Sequence, residues 1–315
     1  MTAAAPLVTV IVPGRDIADF APDALDSLRA QTEQRWQAIL VDDGSQDDTG
    51  AIFRAAAAGD RRFRFIAHEA SRGLGAARNV ALDAVDTPLV GFLDGDDELT
   101  PTALERLVGT LVETGSDFVA GAYVRSRFDG RSYAPGRVQP WVSAATNPAR
   151  LGTTIYEHPR ASANIVAWSK VSRLDMWRDL RFPEGVAYED QLVAQSMYTQ
   201  ARAFDVIPDV VVHWRLRADG TSITQSRARL SVLRDYIGAL RGGIRILHEA
   251  GAAEAVSARL ELILAMDLPP LIDIAATHPD PEYATVVAAF VAELEALPEF
   301  ADAHPDPTIT AALAW

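Results

Sequence analysis

The sequence predicts an α/β fold: a mostly parallel sheet flanked by helices, with a helical C-terminal extension. Three observations carry this. Over the first 125 residues, short apolar runs alternate with stretches whose apolar residues recur at helical spacing. The apolar runs are continuous rather than alternating, as strands covered on both faces are. Three of them end in polar residues able to do chemistry: Gly14-Arg15-Asp16, Asp42-Asp43-Gly44-Ser45 and Asp94-Gly95-Asp96-Asp97. Open α/β sheets bind their ligands beyond the carboxyl ends of the strands, so these ends are expected to share a site.

Residues 7–12 form the first expected strand, stopped by Pro13-Gly14. A helix over 22–31 places Leu25 and Leu28 on one face, and 36–41 is the second strand. Residues 47–58 read as a helix capped by Asp47 or Asp48, because a short carboxylate satisfies free amides at a helix start. Residues 63–67 are a third strand, 73–85 an Ala-rich helix and 89–93 a fourth strand. For 100–114 we expect a helix with Thr100 as cap and Pro101 at its first position. Its core face is Leu104, Leu107, Val108, Leu111 and Val112. A strand over 118–124 closes the first half.

From 125 to 160, Pro135, Gly136, Pro140 and Pro148 suggest loops and short strands lining a substrate cleft. Then follow a strand over 163–170, a short helix over 173–178, a helix over 191–200 and a strand over 210–216. Helices are expected over 229–250, 252–266 and 282–297, interrupted at Pro269-Pro270 and followed by a loose Pro/Ala-rich tail.

Composition excludes several classes. A net charge of −14 over 315 residues argues against nucleic acid as partner, which needs a basic surface. The absence of cysteine removes disulfides, thiolate zinc sites and thiol nucleophiles. No apolar run reaches the roughly 18 residues of a membrane span, and the start lacks the basic segment of a signal peptide. The expected location is cytoplasmic, with association at the inner face of the membrane left open.

Four stretches carry chemistry. Asp94, Asp96 and Asp97 are carboxylates packed into four positions, and hard oxygen donors favour Mg²⁺ or Mn²⁺ holding a phosphate. Charge near the start of the next helix explains Glu98 but not Asp94 and Asp96. Asp42 and Asp43 could accept hydrogen bonds from a base or ribose, or merely make a turn. Arg72-Gly73-Leu74-Gly75 allows close backbone approach and, with Arg78, offers positive charge to phosphates. Its spacing is not the dinucleotide pattern, since the third position after Gly75 is Arg78. Glu189-Asp190 precedes a helix, so Asp190 is either a cap or a general base. Beyond these, His213 ends a Val-rich strand, Arg215 and Arg217 point to one face, and Gly220-Thr221-Ser222 is a loop.

Taken together, the ordered set resembles the family-2 glycosyltransferases of the GT-A fold. The resemblance rests on Val8 to Pro13, Ser27-Leu28-Arg29-Ala30-Gln31, Asp42 to Ser45, Gly73 to Asn79, Asp94 to Asp97 and Glu189-Asp190. It covers about residues 6–125 strongly and 164–225 less so, and is silent on the C-terminal helices. Asp16 departs from it, standing where many members carry Asn.

The resemblance implies an inverting transferase that uses a nucleotide diphosphate sugar, UDP-linked for preference, and an acceptor with a sugar or polyol hydroxyl. Pro13, Gly14, Asp16, Asp42 and Asp43 would hold the base. Arg72, Gly73 and Arg78 would lie near base or phosphates, and Asp94 and Asp96 near ribose or metal. Asp97, with Asp96 and His213, would ligate Mn²⁺ or Mg²⁺. Glu189, Arg215 and Ser222 would contact substrate, and Asp190 would be the catalytic base. Residues 1–225 would form the catalytic domain, with a nucleotide half 1–125 and an acceptor half 126–225. Residues 226–315 would be a helical module able to form a homo-oligomer. A nucleotidyltransferase and a non-catalytic nucleotide-sugar binding module are the alternatives.

Overall fold

The computed structural model describes residues 5–217 and 227–304. Ser222 and the tail beyond 304 lie outside the described residues. The first half contains β1 (Val8–Gly14), α1 (Ala21–Arg29), β2 (Trp36–Asp42), α2 (Thr49–Gly59) and β3 (Phe63–Ala67). It continues with α3 (Leu74–Leu82), β4 (Leu89–Phe92), β5 (Glu98–Leu99), α4 (Ala103–Thr114) and β6 (Phe118–Phe128). The second half holds β7 (Tyr133–Val138), α5 (Pro140–Thr146), β8 (Arg150–Thr153), β9 (Lys170–Arg173), α6 (Asp190–Gln200) and β10 (Phe204–Leu216). Helices α7 (Leu230–Glu249), α8 (Ala253–Leu262), α9 (Leu268–Thr277) and α10 (Pro281–Glu295) follow.

One sheet runs β3-β2-β1-β4-β9-β6-β10-β5, with β7 paired to β6 and β8 to β10. Strands β3, β2, β1 and β4 are parallel, as the apolar runs predict, and every residue of β1 is buried. Strand β9 runs antiparallel between β4 and β6, so the sheet is mixed in its second half. The strand expected over 163–170 is instead short 3₁₀ turns at Pro159–Ala163 and Ala167–Ser169, and β9 itself starts at the last residue of that span, running Lys170–Arg173. It is buried because the Lys170 ammonium finds acceptors at Asn164 O (2.7 Å), Asn164 Oδ1 (3.2 Å) and Val166 O (2.6 Å).

Prolines read as breakers turn out to start helices. Pro140 opens α5, and Pro269-Pro270 lie in the first turn of α9, where no amide donor is needed. The chain passes from α8 to α9 through a π-type turn, Ile263–Asp267, rather than a break. Helix α4 begins later than expected, at Ala103, because the Thr100 hydroxyl donates to Val210 O (2.8 Å) instead of capping. Its end follows the rule: Gly115 at φ 73° returns its amide to Leu111 O.

A single apolar core runs from Val8 in β1 through Tyr198 in α6 to Leu233, Leu260 and Phe290 in the C-terminal helices. Glycines bring α7 against α6: a Cβ on Gly242 would stand 3.3 Å from Leu192. Among the described residues, no helix is long and apolar enough to cross a membrane.

Candidate active site

The strand ends meet. The Gly95 amide donates to Pro13 O (3.0 Å) and the Asp43 amide to Gly14 O (3.0 Å), so the acidic run, the β1 end and the β2 end are stitched together. The approach is close enough to require glycine, since a Cβ on Gly95 would lie 2.9 Å from Pro13 O. After Gly95 the loop closes on itself through Asp97 N–H to Asp94 O (2.9 Å).

Arg78 is the hub. Its side chain is 1% exposed, and Nη2 donates to Asp94 Oδ1 (2.6 Å) while Nη1 donates to Glu189 Oε1. The guanidinium also lies over the Phe182 ring, 5.1 Å from its centroid. Burial opposes its charge, but Asp94, Glu189 and Asp190 outweigh burial and hold it protonated. Arg78 was expected near base or phosphates. It is instead an internal strut tying the acidic run to the Glu189-Asp190 pair.

Asp190 opens α6 and is partly buried. Its carboxylate makes no hydrogen bond or ion pair with a described residue. Burial, then the Glu189 charge, raises its pKa to about 7, against the pull of Arg78. Burial likewise raises Glu189, with Arg78 opposing. The segment before Asp190 is held from the C-terminal helices. Ala187 N–H donates to Asp235 Oδ2 (3.1 Å), and the Tyr188 ring packs 4.3 Å from that of Tyr236. Tyr188 has φ 61°, a left-handed conformation that costs energy for an aromatic residue and marks a tight turn into the pair. Beyond Asp190, Arg259 donates to Gln191 Oε1 (3.2 Å) and Asp267 Oδ2 (3.1 Å), and Asp267 also accepts the Tyr236 hydroxyl.

Asp97 is 2% exposed, and its Oδ1 accepts the Arg215 amide (2.8 Å). Burial, with the charges of Asp96 and Asp94, raises its pKa well above the usual carboxylate range. Asp94 is raised by burial too, with Arg78 acting against it. Asp96 Oδ2 is held by Arg217 Nε (2.9 Å) and Nη2 (2.7 Å).

Arg215 corrects the expectation that it faces the substrate. Its side chain is 1% exposed and binds Asp96 O (2.6 Å), Phe20 O (2.9 Å), Asp23 (2.8 Å) and Glu98 (3.0 Å). It braces the acidic loop from behind, and Arg217, two residues on, is the arginine that reaches an acidic side chain at the front. Strand alternation correctly puts both on one face but does not say which is buried.

The expected metal set is not gathered either. Among the described residues, no three His, Asp or Glu side chains converge as a metal-ligand cluster. Asp97 gives one oxygen to Arg215, Asp96 is clamped by Arg217, and the half-buried His213 pairs with Glu98 in the sheet. The donor chemistry still fits Mg²⁺ or Mn²⁺ shared with a diphosphate. Mg²⁺ is usually held by one or two carboxylates plus substrate phosphates rather than by a protein cage. Asp97 Oδ2, without a hydrogen bond to a described residue, is the oxygen available for it. Like charges massed in a buried loop are what such an ion would relieve.

Asp42 and Asp43 separate. Asp42 is partly exposed, and its Oδ1 accepts the Ser45 amide (3.0 Å). Asp43 is buried, and its two oxygens accept from His68 (2.7 Å), Ser71 (2.7 Å), Arg72 N–H (2.9 Å) and Gly73 N–H (2.9 Å). Burial alone would raise its pKa; the donors, His68 first, hold it below the ordinary value. Asp43 is therefore occupied by its own chain, correcting its expected contact with the base. Asp16, at φ 50°, is exposed and accepts the Gln46 amide (2.7 Å). Arg72 is an exposed side chain reaching Glu184 (3.3 Å), and Gly73, at φ 93°, starts α3.

The sequence reading missed Lys170, Tyr236, Arg259 and Asp267. Lys170 and Asp190 line the same narrow internal cavity with Phe92, Trp177 and Met197. No local motif marks these residues; an Arg-Asp pair eight apart across a π-type turn gives no helical signal.

Comparison with known proteins agrees with this architecture. Residues 9–168, just over half the chain, match the family described as Glycosyl transferase family 2. The uncharacterized glycosyltransferase EpsJ of Bacillus subtilis (strain 168) is 35% identical over 134 residues, 42% of this chain and 39% of that protein. The succinoglycan biosynthesis protein ExoU of Rhizobium meliloti (strain 1021) is 40% identical over 121 residues, 38% of this chain and 34% of that protein. The match thus spans little more than a third of these relatives' length. The crystal structure of S. aureus TarS 1-349 in complex with UDP-GlcNAc superposes with a TM-score of 0.69 at 20% identity, covering 98% of this chain and 91% of that one. At that identity the likeness is one of fold.

Proposed function

The chain belongs to glycosyl transferase family 2; on that premise we propose a metal-dependent inverting transferase that moves a sugar from a nucleotide diphosphate to an acceptor hydroxyl. The observation that carries it is the Arg78 strut, which brings Asp190 beside the acidic run from across the chain. The donor is a UDP-sugar, a choice supported by the TarS complex, and the role in cell-surface polysaccharide synthesis is supported by the ExoU likeness. The cytoplasmic location, and the division into a catalytic domain and a helical module near residue 225, belong to the same proposal.

Asp42 and the β1 end at Pro13-Gly14 hold the base, with Asp16 at the exposed rim. Asp96, its carboxylate held by Arg217, orients the ribose. Asp97 Oδ2 would hold Mn²⁺ or Mg²⁺, which when bound would supply Lewis-acid neutralisation of the diphosphate leaving group. Asp190, ionised and unpaired, takes the proton of the attacking acceptor hydroxyl. Glu189 keeps Arg78 charged and so fixes the angle of the α6 start. The acceptor attacks the face of the anomeric carbon opposite the nucleotide, which inverts the configuration.

Asp190→Asn tests the base directly. Proton transfer of this kind contributes about 10²–10⁴-fold, so turnover should fall by that factor with nucleotide affinity retained. Equal loss of donor binding would remove the base assignment. Thermal shifts with UDP-sugars, with and without Mn²⁺, test donor and metal together; no shift with any of them would defeat the reading.

A further inference from the structure

Strands β6 and β7 carry charge of the opposite sign to the rest of the molecule. Between Tyr123 and Val138 lie Arg125, Arg127, Arg131 and Arg137 against one acid, Asp129, in a chain of net charge −14. Arg125 is distinctive among them. Its guanidinium stands 5.4 Å from the Trp141 ring centroid and 5.1 Å from that of Trp214. Its Nε is buried without a hydrogen-bond partner, and the side chain makes no hydrogen bond or ion pair with another described residue.

Arg125 is half-buried, and Arg227, whose Nε is likewise buried without a partner over the Tyr236 ring, resembles it, but the three arginines buried more deeply are all paired. Arg78 has Asp94 and Glu189, Arg215 has Asp23 and Glu98, and Arg259 has Asp267. A cation withdrawn from water normally takes a carboxylate with it. Two indole faces offset part of that cost but give the buried Nε–H nothing to donate to. Burial, with Arg127 and Arg227 as neighbouring like charges, works against the Arg125 charge, and the Tyr123 hydroxyl acts in its favour.

The position matters as much as the missing partner. Arg125 is in register with Trp214 on β10, next to the Arg215 whose amide holds Asp97. Trp214 and Arg125 project to the face opposite Arg215. There Tyr123, Trp168 and Trp214 form an aromatic cluster with centroids 4.8–6.4 Å apart, and Tyr123 feels the charge of Asp190. A buried aromatic cluster, edged by the half-buried Trp214, and an unneutralised guanidinium therefore share one side of the sheet, within reach of the Asp190 charge.

We propose that Arg125 is an anion-binding subsite for the acceptor: it takes a phosphate or carboxylate, while the half-buried Trp214 covers the adjoining sugar or polyol and the buried Trp141 backs the guanidinium. This rests on the reading of Asp190 as the base of a glycosyltransferase. An anionic acceptor would complete the planar fork of the guanidinium with two hydrogen bonds, which a neutral one cannot do.

The test uses the full chain saturated with UDP and Mn²⁺, so that the diphosphate site is filled. Two probe pairs are titrated by calorimetry: glycerol 3-phosphate against glycerol, and methyl glucuronide against methyl glucoside. The anionic member of at least one pair should bind tenfold or more tightly than its neutral partner, and the pair that responds distinguishes phosphate from carboxylate. Arg125→Gln should abolish that preference and leave UDP affinity unchanged. Arg125→Lys, which keeps the charge but not the fork, should retain part of it and serves if the Gln variant does not fold. Equal binding within both pairs, or an undiminished preference in Arg125→Gln, overturns the subsite. Failure of UDP with Mn²⁺ to bind the wild type is a separate outcome and overturns the transferase reading beneath it.

Discussion

Asp43 and Asp97 look alike in sequence, each an aspartate in an acidic run just past a buried parallel strand, and they have opposite fates. Asp43 receives four donors, and its charge is settled by its own chain. Asp97 receives one backbone amide and sits among Asp94 and Asp96, so its charge is unsettled. The difference is one of supply. The loop after Asp43 folds back and offers His68, Ser71 and two amides, whereas the loop after Asp94 offers only more carboxylates. A strand-end acid is structural when the next loop can satisfy it, and free for ligand when the next loop cannot.

Substitution should separate the two. The largest effect is expected from Asp97→Asn: turnover should fall by about 10²-fold or more if it holds the ion at the leaving group. Its melting temperature should hold or rise, because a buried and poorly paired charge is removed; a melting loss with full activity would reverse the comparison. Asp43→Asn should do the converse, costing about 2–4 kcal/mol in denaturant unfolding as donors lose a charged acceptor, with little change in kcat for what remains folded.

The pH dependence sharpens this further. The folded Asp43 pKa is depressed, so its stabilisation is full above the unfolded value of about 3.9 and disappears as pH falls through the lower folded value. Acid unfolding of the wild type should therefore steepen below about pH 4, and Asp43→Asn should lose that steepening. Asp190 is shifted the other way, to about 7. As a base it works deprotonated, so kcat/KM should be level above that pH and decline about tenfold per unit below it. A profile flat down to pH 5 would argue against Asp190. The smallest effect is expected from Tyr236→Phe, which keeps the stacking on Tyr188 but removes the hydroxyl from Asp267. A few-fold loss in kcat with unchanged donor KM would place the C-terminal helices behind the base.

Much of this was legible from sequence because it is local. Strand ends, the helices between them and the order of the motifs follow from periodicity and turn residues, and the family resemblance follows from their order. What was not legible depends on contacts between distant residues. Arg78 looked like a phosphate ligand because nothing near it in sequence could neutralise it; its second partner, Glu189, lies 111 residues away. Arg215 and Arg217 are equivalent by alternation, and only the packing of α1 decides which is buried. Strand β9 lies just beyond the apolar run that suggests a strand over 163–170, because the apolar residues there pack through 3₁₀ turns and the pairing with β4 and β6 begins only at Lys170. His213 was placed with the metal from its position at the end of β10, yet it sits in the sheet opposite Glu98 without being drawn to the acidic run.

The Arg78 strut also bears on how the protein is made. At a synthesis rate of about 10 residues per second, the 111 residues from Arg78 to Glu189 take on the order of 10 s to emerge. Throughout that interval the amino-terminal strands can pair, but their buried guanidinium has only Asp94. The nascent half-site should stay loose until α6 arrives, which makes it the stretch of the growing chain most exposed to chaperones and proteases.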